Sequence, residues 1–185
     1  GRPEDHHVGL LWNDTRVALS QFESLWQFNA RAKSANNACT FGLRPGLYAW
    51  VQAREPHGVD FHLIGLHLKS GPTVFAVEDR HHALNRIDEA VDPLLARDRD
   101  VILLGDFNTM GAGDWQSRDS ELKNLRRKVA KEKPGFVDLT LHPQCSHYFR
   151  GRGGWLDHVL VPQEMQEVTV TTVQVTGYCA VAGCE

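Results

Sequence analysis

Three short stretches carry acid, amide and imidazole groups at the end or edge of an apolar run: GLHLKS (65–70), VILLGDFNT (101–109) and GWLDHVLV (154–161). Open α/β sheets hold ligands outside the carboxyl ends of their strands, so chemistry is expected at these places. In the second stretch, side-chain alternation along a strand puts Asp106 and Asn108 on one side and lets Phe107 anchor the other. Asp106 can hold a divalent cation or take a proton from water, and the neutral amide of Asn108 can donate to a negative oxygen without repelling it. Gly, Asp and Asn are equally the residues that loops favour, so GDFN read alone fits a turn as well as a site.

His67 interrupts an otherwise apolar strand and is followed two residues later by Lys69, a pair able to carry positive charge at that strand's end. Taken singly, His67 also fits a satisfied core histidine. Asp157 enters a strand directly after Gly151-Arg152-Gly153-Gly154. A charge there is buried only if paired, and otherwise it is an edge-strand carboxylate. His158 is adjacent to Asp157, so it points to the opposite face. His6-His7 and His81-His82 read as surface pairs.

The elements that must position these groups follow from periodicity. Val8–Trp12, Val17–Leu19 and Leu47–Ala53 read as a meander of strands broken at Asn13-Asp14 and Arg44-Pro45-Gly46, with a loop or short helix across Gln21–Asn37. Val59–Leu68 is apolar on both faces, with Phe61, Leu63 and His67 on one and Ile64, Leu66 and Leu68 on the other, which predicts an interior strand. Ser70-Gly71-Pro72 ends it. From Glu78 onward, Leu84, Ile87, Val91, Leu94 and Leu95 make a helical stripe that Pro93 is expected to end or kink. Val101–Leu104 follows as a short buried strand stopping at Gly105, and strand, helix, strand implies a right-handed crossover. Asp119–Lys133 reads as a helix whose Arg126-Arg127-Lys128 run fits a solvated face. Val159–Val161 and Val168–Val175 complete the strands.

The chain has 185 residues, 42% hydrophobic and 23% charged, which predicts one domain over residues 1–185 with its own core. No apolar run approaches the roughly 20 residues of a membrane span. With 20 basic against 23 acidic residues, the whole-chain field does not attract a polyanion, so nucleic acid must be argued from a site. Cys39, Cys145, Cys179 and Cys184 contain no C-x-x-C pair, which argues against structural zinc, and spacing leaves their pairing and redox compartment open. The chain begins with Gly1 and no charged-then-apolar leader precedes the first apolar run; a processed or trimmed product is the expectation, with localisation open.

In order and context the three stretches resemble the endonuclease/exonuclease/phosphatase superfamily of DNase I, abasic-site endonucleases, inositol polyphosphate phosphatases and neutral sphingomyelinases. LHLKS is similar to its histidine-bearing strand, LLGDFNT to its G-D-x-N signature, and WLDHVLV to its later strand with a buried aspartate. The resemblance covers about residues 8–162. It implies a two-sheet α/β sandwich with flanking helices, incomplete at both ends, that cleaves phosphoesters with Mg²⁺ or a similar cation such as Mn²⁺ or Ca²⁺. Carried over residue by residue, it makes His67 a contact to the scissile phosphate. Asp106 and Asn108 become the pair that orients or deprotonates water and helps hold the cation, and Asp157 the aspartate that orients a second histidine. Arg44 becomes an arginine that reaches substrate phosphate, with Lys69 beside it; Asp5 lies near where an acid pairs the first histidine.

The family's amino-terminal metal-binding glutamate and carboxyl-terminal S-D-H motif have no counterpart in the chain. The resemblance therefore implies a flanking segment or partner that completes the site, and little cleavage by these 185 residues alone. The substrate implied is a phosphodiester, nucleic acid first. A phosphatase, a lipid phosphodiesterase and a phosphate-binding module without catalysis are the alternatives. A dinuclear metallophosphoesterase would need a G-N-H cluster, which does not occur.

Overall fold

The computed structural model describes residues 7–55, 58–132, 135–140, 145–149, 152–165 and 168. Three strands, β1 (Val17–Leu25), β2 (Gly46–Ala53) and β3 (Asp60–His67), form an antiparallel meander. Two helices, α1 (Val74–Leu84) and α2 (Ile87–Leu95), lead to β4 (Val101–Asp106), which pairs parallel to β3. After α3 (Trp115–Val129) come β5 (Phe136–Asp138), β6 (His147–Phe149), β7 (Arg152–Gly154) and β8 (Asp157–Pro162). The main sheet is mixed and six-stranded, in the order β1-β2-β3-β4-β8-β5, and β6 and β7 form a separate two-stranded ribbon. The fold is thus α/β with two sheets and helices on one face.

Alternation along the central strands builds the two faces. Ile64, Leu66, Val101, Leu103 and Leu160 are buried against Leu84, Ile87, Val91, Leu94, Leu125 and Val129 of the helices in the larger core. Phe61, Ile102, Val137 and Val159 project from the other face, where a smaller cluster gathers around Leu139, Val161 and Met165. His67, Asp106 and Asp157 belong to this second face by parity, which matters for the site.

Several local expectations change. Val8–Trp12 is not a strand; Leu11 and Trp12 are exposed. The first strand instead runs through Leu25, and its register slips between Ser20 and Glu23, with Gln21 at φ +57°. It is an edge strand with one solvated side, so its polar stretch disguised it as a loop. The expected single helix is two, broken at Asn85-Arg86. Pro93 sits inside α2, which ends two residues later. The Glu89 carbonyl that Pro93 cannot serve accepts from Gln27 Nε2 at 3.5 Å, and this offsets part of the loss. Among the described residues no helix is long and apolar enough to cross a membrane. The strand expected beyond Val168, as well as Asp5, Cys179 and Cys184, lies outside the described residues.

Candidate phosphoester site

Strand register assembles the site. His67 is the parallel partner of Asp106, and Asp106 is the antiparallel partner of Asp157. Three adjacent strands therefore present imidazole, carboxylate and carboxylate in one row. His67 Nε2 lies 3.7 Å from Asp106 Oδ2, with both side chains about one-third exposed. Asp157 is exposed, as an edge-strand carboxylate would be and not buried as the family resemblance implied. The physical reason is its place at the mouth of β8, where its backbone N–H donates to Ser146 Oγ at 2.9 Å while the carboxylate keeps its hydration.

The GDFN segment forms a turn that carries two of the candidate residues. Gly105 has φ +135°, and a Cβ there would collide with the Leu66 carbonyl, so only glycine lets β4 lie this close to β3. Asp106 Oδ1 accepts from the Asn108 backbone N–H at 2.8 Å, an Asx turn. Its other oxygen faces His67. Phe107 is fully buried in the larger core and fixes the segment. Asn108, 3% exposed, adopts φ +52°, which asparagine tolerates better than most residues, and its Nδ2 donates to the Leu68 carbonyl at 3.1 Å. Part of the Asn108 amide thus ties the ends of β3 and β4 together.

Arg44 donates from Nη1 to the carbonyls of His67 at 3.3 Å and Leu68 at 3.5 Å. Its Nε is buried with no hydrogen-bond partner. Burial lowers the Arg44 pKa and the Asp106 charge opposes that shift. Arg44, His67 and Lys69 share a shallow cleft with Leu43, Leu68 and Asp79. A second cleft is lined by His7, Ser24, Cys39 and Leu47, and shares Leu43 and Arg44 with the first.

Electrostatics single out Asp106. Its carboxyl is held above the ordinary carboxylate range, chiefly by burial; the Asn108 backbone N–H opposes the shift, Asp157 adds to it, and His67 and His147 counter it. His147, at the start of β6, is thus a site-side residue that sequence reasoning missed. Its strand is only three residues long and carries no periodicity, so nothing local marks it. His158 occupies the opposite face, as alternation requires. It is 1% exposed, with Nδ1 2.9 Å from Asp138 Oδ2 and Nε2 2.8 Å from Thr109 Oγ1, and its ring stacks on Trp155.

The oxygen donors suit a hard divalent cation that keeps several waters and takes only one or two carboxylates from the protein. Among the described residues, no group of three or more His, Cys, Asp and Glu stands close enough to ligate a metal.

A family model, Endonuclease/Exonuclease/phosphatase family, matches residues 17–177. The chain belongs to this family, whose members hydrolyse phosphoesters and typically use divalent metals. Among solved structures, the fold is similar to the human Nocturnin catalytic domain with bound sulfate anion: 14% identity, TM-score 0.48, covering 80% of this chain and 49% of that one. It is also similar to a β-hairpin deletion mutant of beta toxin from Staphylococcus aureus, with 17% identity and TM-score 0.45, covering 71% of this chain and 50% of that one. The chain spans about half the length of these solved relatives. No curated protein matches it.

Proposed function

We propose that this protein is a metal-dependent phosphodiesterase, with a nucleic-acid backbone as its first candidate substrate, and that residues 1–185 act as one domain. The observation that carries the reading is the His67–Asp106–Asp157 row across β3, β4 and β8, flanked by Arg44 and Lys69. His67 donates to a non-bridging phosphate oxygen. Asp106 accepts a proton from the attacking water through the oxygen not used by the Asx turn. Arg44 and Lys69 face the charge on the phosphate, and Asn108 holds the two strand ends at fixed separation while its amide borders the same charge. Asp106 and Asn108, with Asp157 opposite, would hold Mg²⁺, Mn²⁺ or Ca²⁺, which when bound neutralises charge on the phosphoryl group.

A phosphate-binding module without hydrolysis is the second reading, favoured by the lack of a three-ligand cluster among the described residues. Two measurements separate the readings. Paramagnetic Mn²⁺ titrated into labelled protein should broaden the amides of His67, Asp106 and Asp157 first. The longest natural form of the protein, with millimolar Mg²⁺, should cleave bis(p-nitrophenyl) phosphate or an oligonucleotide and lose that activity in EDTA. Broadening centred elsewhere would overturn the assigned site. Phosphate binding without cleavage would establish the module, and faster cleavage of a phosphomonoester or of sphingomyelin would move the substrate to the phosphatase or lipid branch.

A further inference from the structure

Beneath the site lies a buried ion pair that the chemistry above does not use. Arg80 on α1 is 1% exposed and Glu121 on α3 is 2% exposed. Charged side chains are almost never buried this fully unless paired. All five N–H groups of the guanidinium have acceptors. Nε and Nη2 donate to the two Glu121 oxygens at 2.6 and 2.8 Å, Nη2 also to the Gly111 carbonyl at 3.4 Å, and Nη1 to the carbonyls of Lys69 at 2.9 Å and Gly71 at 3.1 Å. Glu121 in turn accepts from the Gly111 backbone N–H at 2.7 Å.

An apolar pair could pack two helices as well, because replacing a buried ion pair by hydrophobic residues is often neutral or stabilising. What an apolar pair cannot do is hold three carbonyls and one amide, drawn from two loops, around a single planar fork. Those loops are the ones that leave the site strands. One follows β3 and contains Lys69; its Leu68 carbonyl receives the Asn108 amide. The other follows β4 and Asn108; Met110 N–H donates back to the Asn108 carbonyl at 2.6 Å, and Gly111 packs so tightly on α3 that a Cβ would collide with the Arg118 backbone.

We infer that Arg80 and Glu121 are positioning residues for the phosphoester site, setting the separation between the His67–Lys69 and Asp106–Asn108 segments. The inference rests on the proposed function for its catalytic consequence and on hydrogen bonding for its structural one. Neither residue needs to touch substrate.

The test is the double variant Arg80→Met with Glu121→Leu, which leaves no unpaired buried charge, beside Arg80→Lys, which keeps the charge and loses the fork. Thermal unfolding identifies folded variants. Amide exchange at Leu68, Asn108 and Gly111 should then accelerate together while Val51 in β2 stays protected. In the longest natural form, kcat for bis(p-nitrophenyl) phosphate should fall on the order of a hundredfold, the scale of a 1 Å misplacement, with little change in KM. A folded double variant with unchanged exchange overturns the inference, and so does faster exchange with unchanged kcat. If the unaltered protein cleaves no phosphoester, the hydrolase reading fails and exchange alone decides: coupled acceleration at all three amides supports the clamp, and unchanged or uncoupled exchange overturns it. Should the double variant not fold, Arg80→Lys decides by the same measurements.

Discussion

Asp106 and Asp157 stand directly opposite each other on antiparallel strands, two carboxylates on the same sheet face with His67 as the next residue in the row. Burial first, and Asp157 second among the groups that raise it, keep the Asp106 carboxyl above its ordinary value. Replacing Asp157 with Asn removes one like charge, so Asp106 should titrate lower in carbon-detected NMR. An unchanged Asp106 titration would show that water screens the pair.

In the longest natural form of the protein, Asp106→Ala should lower phosphodiester cleavage by at least about a hundredfold, the usual scale for losing a positioned acid or base. Near-normal turnover would reduce Asp106 to its Asx turn. Chemical denaturation of the same variant separates the two roles, because the turn contributes to stability and not to the pH profile of kcat.

Gly105→Ala forces a side chain into the Leu66 carbonyl at a φ of +135°, and the strain should cost about 1–3 kcal/mol or more. Phe107→Ala next to it empties a fully buried position and should cost about 3–5 kcal/mol. Urea unfolding checks both, and a neutral Gly105→Ala would mean that β3 and β4 can separate.

Asn108→Asp keeps the shape of the side chain but sets a carboxylate oxygen against the Leu68 carbonyl where an amide donates at 3.1 Å. It should destabilise more than Asn108→Gly, which loses the tie but relaxes the left-handed backbone. The reverse order in urea midpoints would show that the side-chain bond contributes little.

His62 is 1% exposed, and its Nδ1 is 3.0 Å from the Tyr48 hydroxyl. Burial depresses its pKa below 6.5, so the unfolded chain binds the proton more readily than the folded one. Its contribution is therefore present above pH 6.5 and is lost as pH falls below that value. The melting temperature of His62→Phe should decline less steeply with acid than that of the unaltered protein; parallel declines would place the effect in other histidines.

The interior strand at β3, the short buried strand at β4 and the alternation that separates Asp157 from His158 were legible because each depends on side chains a few residues apart. His67, Asp106, Asn108 and Asp157 could be named as candidates for the same reason: residue type and strand ends are local properties. The row they make is not local. It exists because β3, β4 and β8 pair in one register, and a slip of one residue would have sent Asp157 to the core face and His158 into the site. His147 lowers the Asp106 pKa electrostatically from a three-residue strand that nothing nearby announces, and the burial of Arg80 follows from its partner on another helix. Charge burial is decided by which partners the fold delivers, and those partners come from distant parts of the chain.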